Sequence, residues 1–282
     1  GKEIVAKEKD TLSLGKHILR FFMAPMVHWP EVRMSFEETE GLLFTADAFG
    51  SFDTLDGRLY ADQFDFEKDL AKASRTYYTN IVGKYGPSVL ALFKKLPLDK
   101  VNRILPLHGP IYRTKETRKR IIDLYTLWAN YTPERKGVRI CYSTSYGNRR
   151  NAAYYLARKL NELGINNLSV YDVSLTDKTE RVAKAFEYSN IVFRANTYNA
   201  SLFPERNSLI DDRIGRNVHN RTISLVQNGT WAVTASNLIK NKLSTVKGIV
   251  FTPTEVTIKS ARNGQDALLL DQRAKEIVES LK

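Results

Sequence analysis

The sequence predicts an α/β protein in two units, the second a doubly wound parallel sheet of five strands. Three observations predict it. Beyond residue 137, five apolar runs of strand length alternate with stretches of helical spacing. Before residue 110, short strand patterns alternate with turns and carry three words: His28-Trp29-Pro30, Asp47-Ala48-Phe49-Gly50 and His108-Gly109-Pro110. Between the two lies a charged, proline-marked stretch, Tyr131 to Lys136, that suits a linker. The expected division is 1–136 and 137–282, and 282 residues give each unit enough chain to bury its own core.

In the first unit, Ile18 to Phe22, Arg33 to Phe36 and Gly41 to Thr45 read as strands. From Asp65 to Lys95 the spacing of Leu70, Ala73, Tyr77 and Ile81 is helical, with a break at Gly86-Pro87. Ile104 to Leu107 is a buried strand, and a helix from Lys115 to about Asn130 turns Ile121, Leu124, Tyr125 and Trp128 inward. In the second unit, the strands are Val138–Ser143, Leu168–Val173, Ile191–Ala195, Ile223–Gln227 and Gly248–Thr252. Helices follow over Asn151–Leu163, Thr176–Tyr188, Ser236–Leu243 and Gln265–Leu281, with a looser segment between Ala195 and Asn217.

Hydrophobic content of 43% and charged content of 26% are those of a soluble globular protein, and no apolar run is long enough to cross a bilayer. The start lacks a secretory signal. The single cysteine, Cys141, sits in an apolar strand and reads as core, so the expected compartment is the cytoplasm. The chain begins with Gly, which suggests a processed or engineered start. A net charge of +12 favours acidic partners. Arg113, Lys115, Arg118, Lys119 and Arg120 form the densest basic cluster, readable as a solvated helix face, a docking patch for an acidic electron donor, or a nucleic-acid surface. No stacking aromatics alternate with these charges, which makes nucleic acid the weakest of the three.

The chemistry is expected at loops after strands. His28, Asp47 and His108 supply imidazole, carboxylate and imidazole, and a carboxylate can bridge two cations while each imidazole binds one. In the parallel sheet, ligands bind beyond the carboxyl ends of the strands. The first such end carries Thr144, Ser145, Tyr146, Gly147, Asn148 and Arg149 and leads into a helix, so its backbone N–H groups can surround a phosphate. Asn196, Thr197, Tyr198 and Asn199 follow the third strand, and Asn228, Gly229 and Trp231 follow the fourth. Three loops of this kind, the second and third offering Tyr198 and Trp231 to lie against a flat ring, suit flavin mononucleotide (FMN).

The words Ala24-Pro25-Met26-Val27-His28-Trp29-Pro30, Leu43 to Gly50, Tyr77-Tyr78-Thr79-Asn80-Ile81 and Leu107 to Tyr112, followed by the linker and the strand–helix alternation, resemble the flavodiiron proteins. In that family a metallo-β-lactamase-like αββα domain precedes a flavodoxin-like domain. The resemblance covers the whole chain and implies that residues 1–136 are the C-terminal half of the first domain. It implies that His28 ligates one iron, His108 the other, and that Asp47 bridges them. The family's remaining ligands lie in a His-x-Glu-x-Asp-His motif that is absent from this chain. It further implies an FMN that passes electrons to the diiron site for reduction of oxygen or nitric oxide, a head-to-tail homodimer, and a rubredoxin or flavin reductase as donor. Three flavin loops depart from the family. Arg149 replaces a hydroxyl residue, Arg194-Ala195-Asn196-Thr197 stands where Gly-Ser-Pro-Thr is usual, and Gln227-Asn228-Gly229-Thr230-Trp231 stands, with an insertion, where Gly-Ser-Tyr-Gly-Trp is usual. The alternative from the same residues is an FMN-binding electron carrier without a working metal site.

Overall fold

The computed structural model describes residues 5–52, 55–143, 148–198, 201–202, 204–229, 233–259 and 264–282. The chain divides into two compact units, Gly1–Asn130 and Tyr131–Lys282.

The first unit holds a five-stranded sheet in the order β1-β2-β3-β4-β5: Thr11–Ser13, Ile18–Met23, Arg33–Glu37, Leu42–Phe44 and Arg103–Leu105. The pairs β1–β2, β2–β3 and β3–β4 are antiparallel, and β4–β5 is parallel. It follows that β2, β4 and β5 run in one direction. Between β4 and β5 lie α1 (Ala71–Ile81) and α2 (Gly86–Phe93), and α3 (Lys115–Ala129) follows β5. A single π-turn, Phe66–Leu70, leads into α1, with Asp65 accepting from the Lys68 backbone N–H at 3.0 Å. Pro87 stands in the first turn of α2, where its missing N–H costs nothing. Thr114 caps α3 by accepting from the Thr117 N–H.

Register puts Phe22 opposite Met34, Phe36 opposite Leu43, and Leu43 opposite Ile104, so these five share a face, and all are buried. The other face carries Leu19, Phe21, Leu42, Phe44 and Leu105, none of them buried. An aromatic cluster joins the helices and the loop after β4: Phe49 lies 4.7 Å from Tyr125 and 5.6 Å from Phe93, and Tyr78 lies 5.1 Å from Trp128.

The second unit is a parallel sheet in the order β7-β6-β8-β10-β11, from Leu168–Asp172, Arg135–Tyr142, Tyr188–Tyr198, Arg221–Asn228 and Ile249–Phe251. Numbered within the unit this is 2-1-3-4-5, the flavodoxin-like order. The fifth position is split: β11 pairs with the start of β10, and β12 (Val256–Ile258) with its end. Both faces are covered. Val138, Ile140 and Tyr142 pack under α4 (Asn148–Glu162) and α8 (Gly264–Glu279) through Leu156, Leu160, Leu270 and Ile277. Cys141, Ile191 and Phe193 pack with Leu209, Ile210, Ile239 and Leu243, from α6 (Pro204–Gly215) and α7 (Ala235–Leu243). Asp177 caps α5 (Lys178–Glu187) by accepting from the Thr179 N–H at 2.8 Å.

Several elements differ from expectation. Arg135 and Lys136 open β6 instead of ending a linker, and Tyr131 is buried. The looser segment before Asn217 contains β9 (Ser201–Leu202) and α6. Tyr188 begins β8 instead of closing a helix, because its backbone pairs with Arg135. The basic cluster is largely paired: Arg113 with Asp62 (2.9 Å), Lys119 with Asp123 (2.6 Å) and Arg120 with Glu67 (2.5 Å). That pairing fits a solvated helix face knitted to nearby acids. Among the described residues no helix is long and apolar enough to cross a membrane.

Candidate functional site

The direction of the strands gathers the three predicted residues of the first unit. His28 follows β2, Asp47 follows β4 and His108 follows β5, so all three leave the same end of the sheet. The Asp47 carboxylate takes one imidazole on each oxygen. Its Oδ2 lies 3.4 Å from His28 Nε2, and its Oδ1 lies 3.2 Å from His108 Nε2. Asp47 is the most enclosed of the three at 17% exposure, against 30% for His28 and 57% for His108.

The loops are held in conformations that ordinary side chains avoid. Met26, Ala46 and Phe49 have φ of 64°, 50° and 63°, each within a few residues of His28 or Asp47. Surrounding bonds enforce them. Thr45 Oγ1 donates to the Ala48 carbonyl at 2.7 Å, and Tyr112 Oη donates to the Phe49 carbonyl at 3.0 Å. Two backbone bonds cross-link the aspartate and histidine loops: Leu107 N–H to Ala46 O at 2.8 Å and Ser51 N–H to His108 O at 3.3 Å. Gly109 has φ +88°, and a Cβ there would fall 2.2 Å from Ser51 Oγ, so glycine is required beside His108.

Tyr77 completes the arrangement. Its ring lies 5.8 Å from the His108 ring, and burial first, then the Asp47 charge, pushes its pKa up. A phenol that keeps its proton has an O–H to offer the nearby carboxylate. Sequence reasoning missed Tyr77 because it sits in the helical stripe of α1 and reads as core. The group lines an open cleft of ≈ 580 Å³ with Phe52, Ile81 and Leu107 in its walls. Trp29 and Leu107, 57% and 73% exposed, are the apolar neighbours of His28 and His108.

The donors fit part of a two-metal centre. Each ion would meet one imidazole nitrogen and one Asp47 oxygen, fewer than the three protein donors of a non-haem iron facial triad. Among the described residues no three His, Cys, Asp or Glu could hold one metal ion. His17 is occupied elsewhere, 3.1 Å from Glu37.

In the second unit the strand order reverses between β6 and β8, the place where such sheets bind ligands. Thr144, Ser145, Tyr146, Gly147, Asn199 and Trp231 lie outside the described residues, as do the side chains of Asn148, Arg149, Asn196, Thr197 and Tyr198. Their backbones correct the expected loops. Asn148 and Arg149 belong to α4. Asn196, Thr197 and Tyr198 belong to β8, which turns back through β9 in a short antiparallel pair. Asn228 is the last residue of β10. Arg194 is an interior strand residue, 2% exposed and opposite Val226, instead of a loop residue. The loop after β10 is anchored at its base by Gln227, which donates to Thr257 Oγ1 at 3.1 Å and accepts from the Ser236 N–H at 3.0 Å.

No protein-family model matches the chain. It is 29% identical over 247 residues to the anaerobic nitric oxide reductase flavorubredoxin of Salmonella paratyphi B, a match covering 85% of this chain and 50% of that protein. The chain therefore spans about half the length of the curated relatives it matches. Its fold superposes on the rubredoxin oxygen:oxidoreductase of Desulfovibrio gigas with a TM-score of 0.89 at 24% identity, covering 99% of this chain and 69% of that one. The flavodiiron protein of Giardia intestinalis gives 0.84 at 19% identity, covering 99% and 68%. The chain is similar in sequence to the flavorubredoxins and shares the fold of the flavodiiron proteins. The likeness in fold takes in nearly every residue of the chain.

Proposed function

We propose that this chain is a portion of a flavodiiron oxygen or nitric oxide reductase, working in the cytoplasm. It carries an FMN unit and the bridging part of a diiron site. The observation that supports this most is the Asp47 carboxylate with a different imidazole on each oxygen, the arrangement a bridging ligand needs. When bound, FMN accepts and releases electrons and the iron pair binds and reduces the gas. The chain's own residues have distinct tasks. His28 and His108 would each present a ring nitrogen to one ion, and Asp47 would fix their separation. Tyr77, its hydroxyl within reach of the Asp47 charge, would steady the carboxylate from the second layer. The exposed His108 side leaves a face of the centre open to a small ligand. In the second unit the loop after β6 and the start of α4 receive the phosphate, and the ends of β8 and β10 flank the ring. A head-to-tail homodimer fed by a rubredoxin or a flavin reductase completes the proposal.

A second reading is favoured by the donor count: with two protein donors per ion, the chain works as a flavodoxin-like FMN electron carrier. One experiment separates the two. The product of the complete gene is purified, its iron and flavin are measured, and consumption of oxygen and nitric oxide is followed with a reduced rubredoxin. Iron, flavin and gas consumption together support the reductase. Flavin with reversible reduction, but neither iron nor gas consumption, overturns it in favour of the carrier.

A further inference from the structure

The loop that carries His28, residues 24–32, leaves the sheet at Met23, the last residue of β2. On the β3 side its neck is closed by the Ala24 N–H, which donates to Val32 O at 2.7 Å. On the other side β2 needs a neighbour, and β1 supplies only part of one. The β1–β2 register sets Thr11 opposite Arg20, which carries Asp10 to Phe21 and Glu8 to Met23. Backbone pairing continues as far as Phe21, whose N–H donates to Asp10 O at 3.0 Å and whose carbonyl accepts from the Lys9 N–H at 2.8 Å. At Met23 two side chains take over. Glu8 Oε2 accepts from the Met23 N–H at 3.1 Å, and Lys95 Nζ donates to the Met23 carbonyl. Glu8 and Lys95 also pair with each other at 2.7 Å. Lys95 stands just beyond α2, with its own N–H on Leu92 O at 3.0 Å.

An exposed ion pair by itself contributes little, and these side chains are 37% and 28% exposed. This pair differs because each member also completes a backbone group of one residue, and a strand end without such partners frays into water. Met23 is the pivot of the His28 loop. Within the loop, Met26 N–H donates to Trp29 O at 2.8 Å and Val27 N–H to Ala24 O at 3.1 Å, so the loop is folded on itself. The Asp47 and His108 loops are cross-linked to each other, yet among the described residues no backbone bond ties loop 24–32 to either. The aim of His28 therefore depends on the base of its loop. We propose that Glu8 and Lys95 are positioning residues of the candidate metal site: by fixing Met23 they set where His28 stands relative to Asp47. Their effect on metal binding rests on the reductase reading; their ordering of the loop does not.

Amide hydrogen exchange on this chain tests the ordering. Lys95→Met should speed exchange at Ala24, Met26 and Val27 several-fold and leave the α3 amides unchanged. Lys95→Arg, which keeps a charged donor, should restore protection. Glu8→Gln keeps an acceptor for the Met23 N–H but loses the charge, and should fall between native and Lys95→Met. Unchanged exchange across 24–32 in Lys95→Met, or an equal rise throughout the first unit, overturns the proposal. In the complete gene product, competition with a chelator should show one of two irons held several-fold more weakly in Lys95→Met, with Lys95→Arg close to native. A loosened loop with native affinity for both irons overturns the positioning of His28. A native gene product that binds no iron overturns the reductase reading, and exchange across 24–32 then decides the clamp by itself.

Discussion

Both sheets of this molecule are woven from strands with apolar side chains on two faces, yet among the described residues only one sheet is covered on both. In the second unit α4 and α8 close one face and α6 and α7 the other, as a parallel sheet requires. In the first unit Phe22, Met34, Phe36, Leu43 and Ile104 are buried, while Leu19, Phe21, Leu42, Phe44 and Leu105 behind them are not. A shallow apolar depression of ≈ 480 Å³ lies on that open face, with Glu37 and His17 among its walls. The candidate metal donors repeat the contrast: Asp47 has an imidazole on each oxygen, yet each imidazole meets one carboxylate oxygen. The difference teaches that local precision and completeness are separate properties. Among the described residues, the first unit holds its three candidate donors in place by loop bonds, independently of how the far face of its sheet is packed.

The largest effect that sharpens this contrast is removal of Asp47. In the complete gene product, Asp47→Ala leaves His28 and His108 with no shared carboxylate, so iron content and gas consumption should be lost while bound flavin stays unchanged. Metal analysis beside flavin absorbance checks this. Equal loss of flavin would mean the two units do not hold their cofactors independently.

The next effect compares two neighbours on β4. Leu43 is fully buried and Phe44 is 42% exposed. Leu43→Ala should cost roughly 2–5 kcal/mol, and Phe44→Ala no more than about 0.5 kcal/mol, read from urea midpoints. If Phe44→Ala costs as much as Leu43→Ala, the open face is covered in solution and the contrast fails.

What the sequence made legible follows from the same physics. The strands and the long helices could be read because their apolar spacing is set by burial: Val138 to Tyr142 and the Leu70-Ala73-Tyr77-Ile81 stripe are examples. Each of His28, Asp47 and His108 could be placed just after a strand. That β2, β4 and β5 share a direction, which is what brings the three together, depends on non-local pairing and leaves no local mark. β1, β9 and β12 are two or three residues long, too short to carry a period. In α6, charged residues flank the buried pair Leu209 and Ile210, and the segment reads as loop. Tyr77 was invisible as a site residue for a different reason: a buried tyrosine on an apolar stripe looks like core until the Asp47 charge is found beside it.

Tyr77→Phe tests that last point and should be milder than the changes above. The ring stays to pack against His108 and Phe52, and only the hydroxyl near Asp47 is lost. Partners of metal ligands are typically worth 10–100-fold in affinity, so a loss of about tenfold in iron affinity is expected, measured by competition with a chelator. The fold should be retained. An unchanged iron affinity would reduce Tyr77 to a packing residue.

The smallest effect belongs to the open face. Burial works against the Glu37 charge, but the Glu40 and Thr39 backbone N–H groups, at 2.7 Å and 2.9 Å, together with the Thr39 side chain and His17, hold its pKa down at about 2. An unfolded glutamate titrates near about 4.3. Because the folded pKa is the lower one, the carboxylate's contribution is present above about pH 4.3 and is lost as pH falls through about 2. Native protein should therefore lose urea resistance across that window more steeply than Glu37→Gln, and the two should converge below it. The turn from Glu37 to Glu40 closes the hairpin between β3 and β4, so a parallel acid response in both proteins would show that the β3–β4 connection holds without this charge, leaving register alone to aim β4 at the histidines.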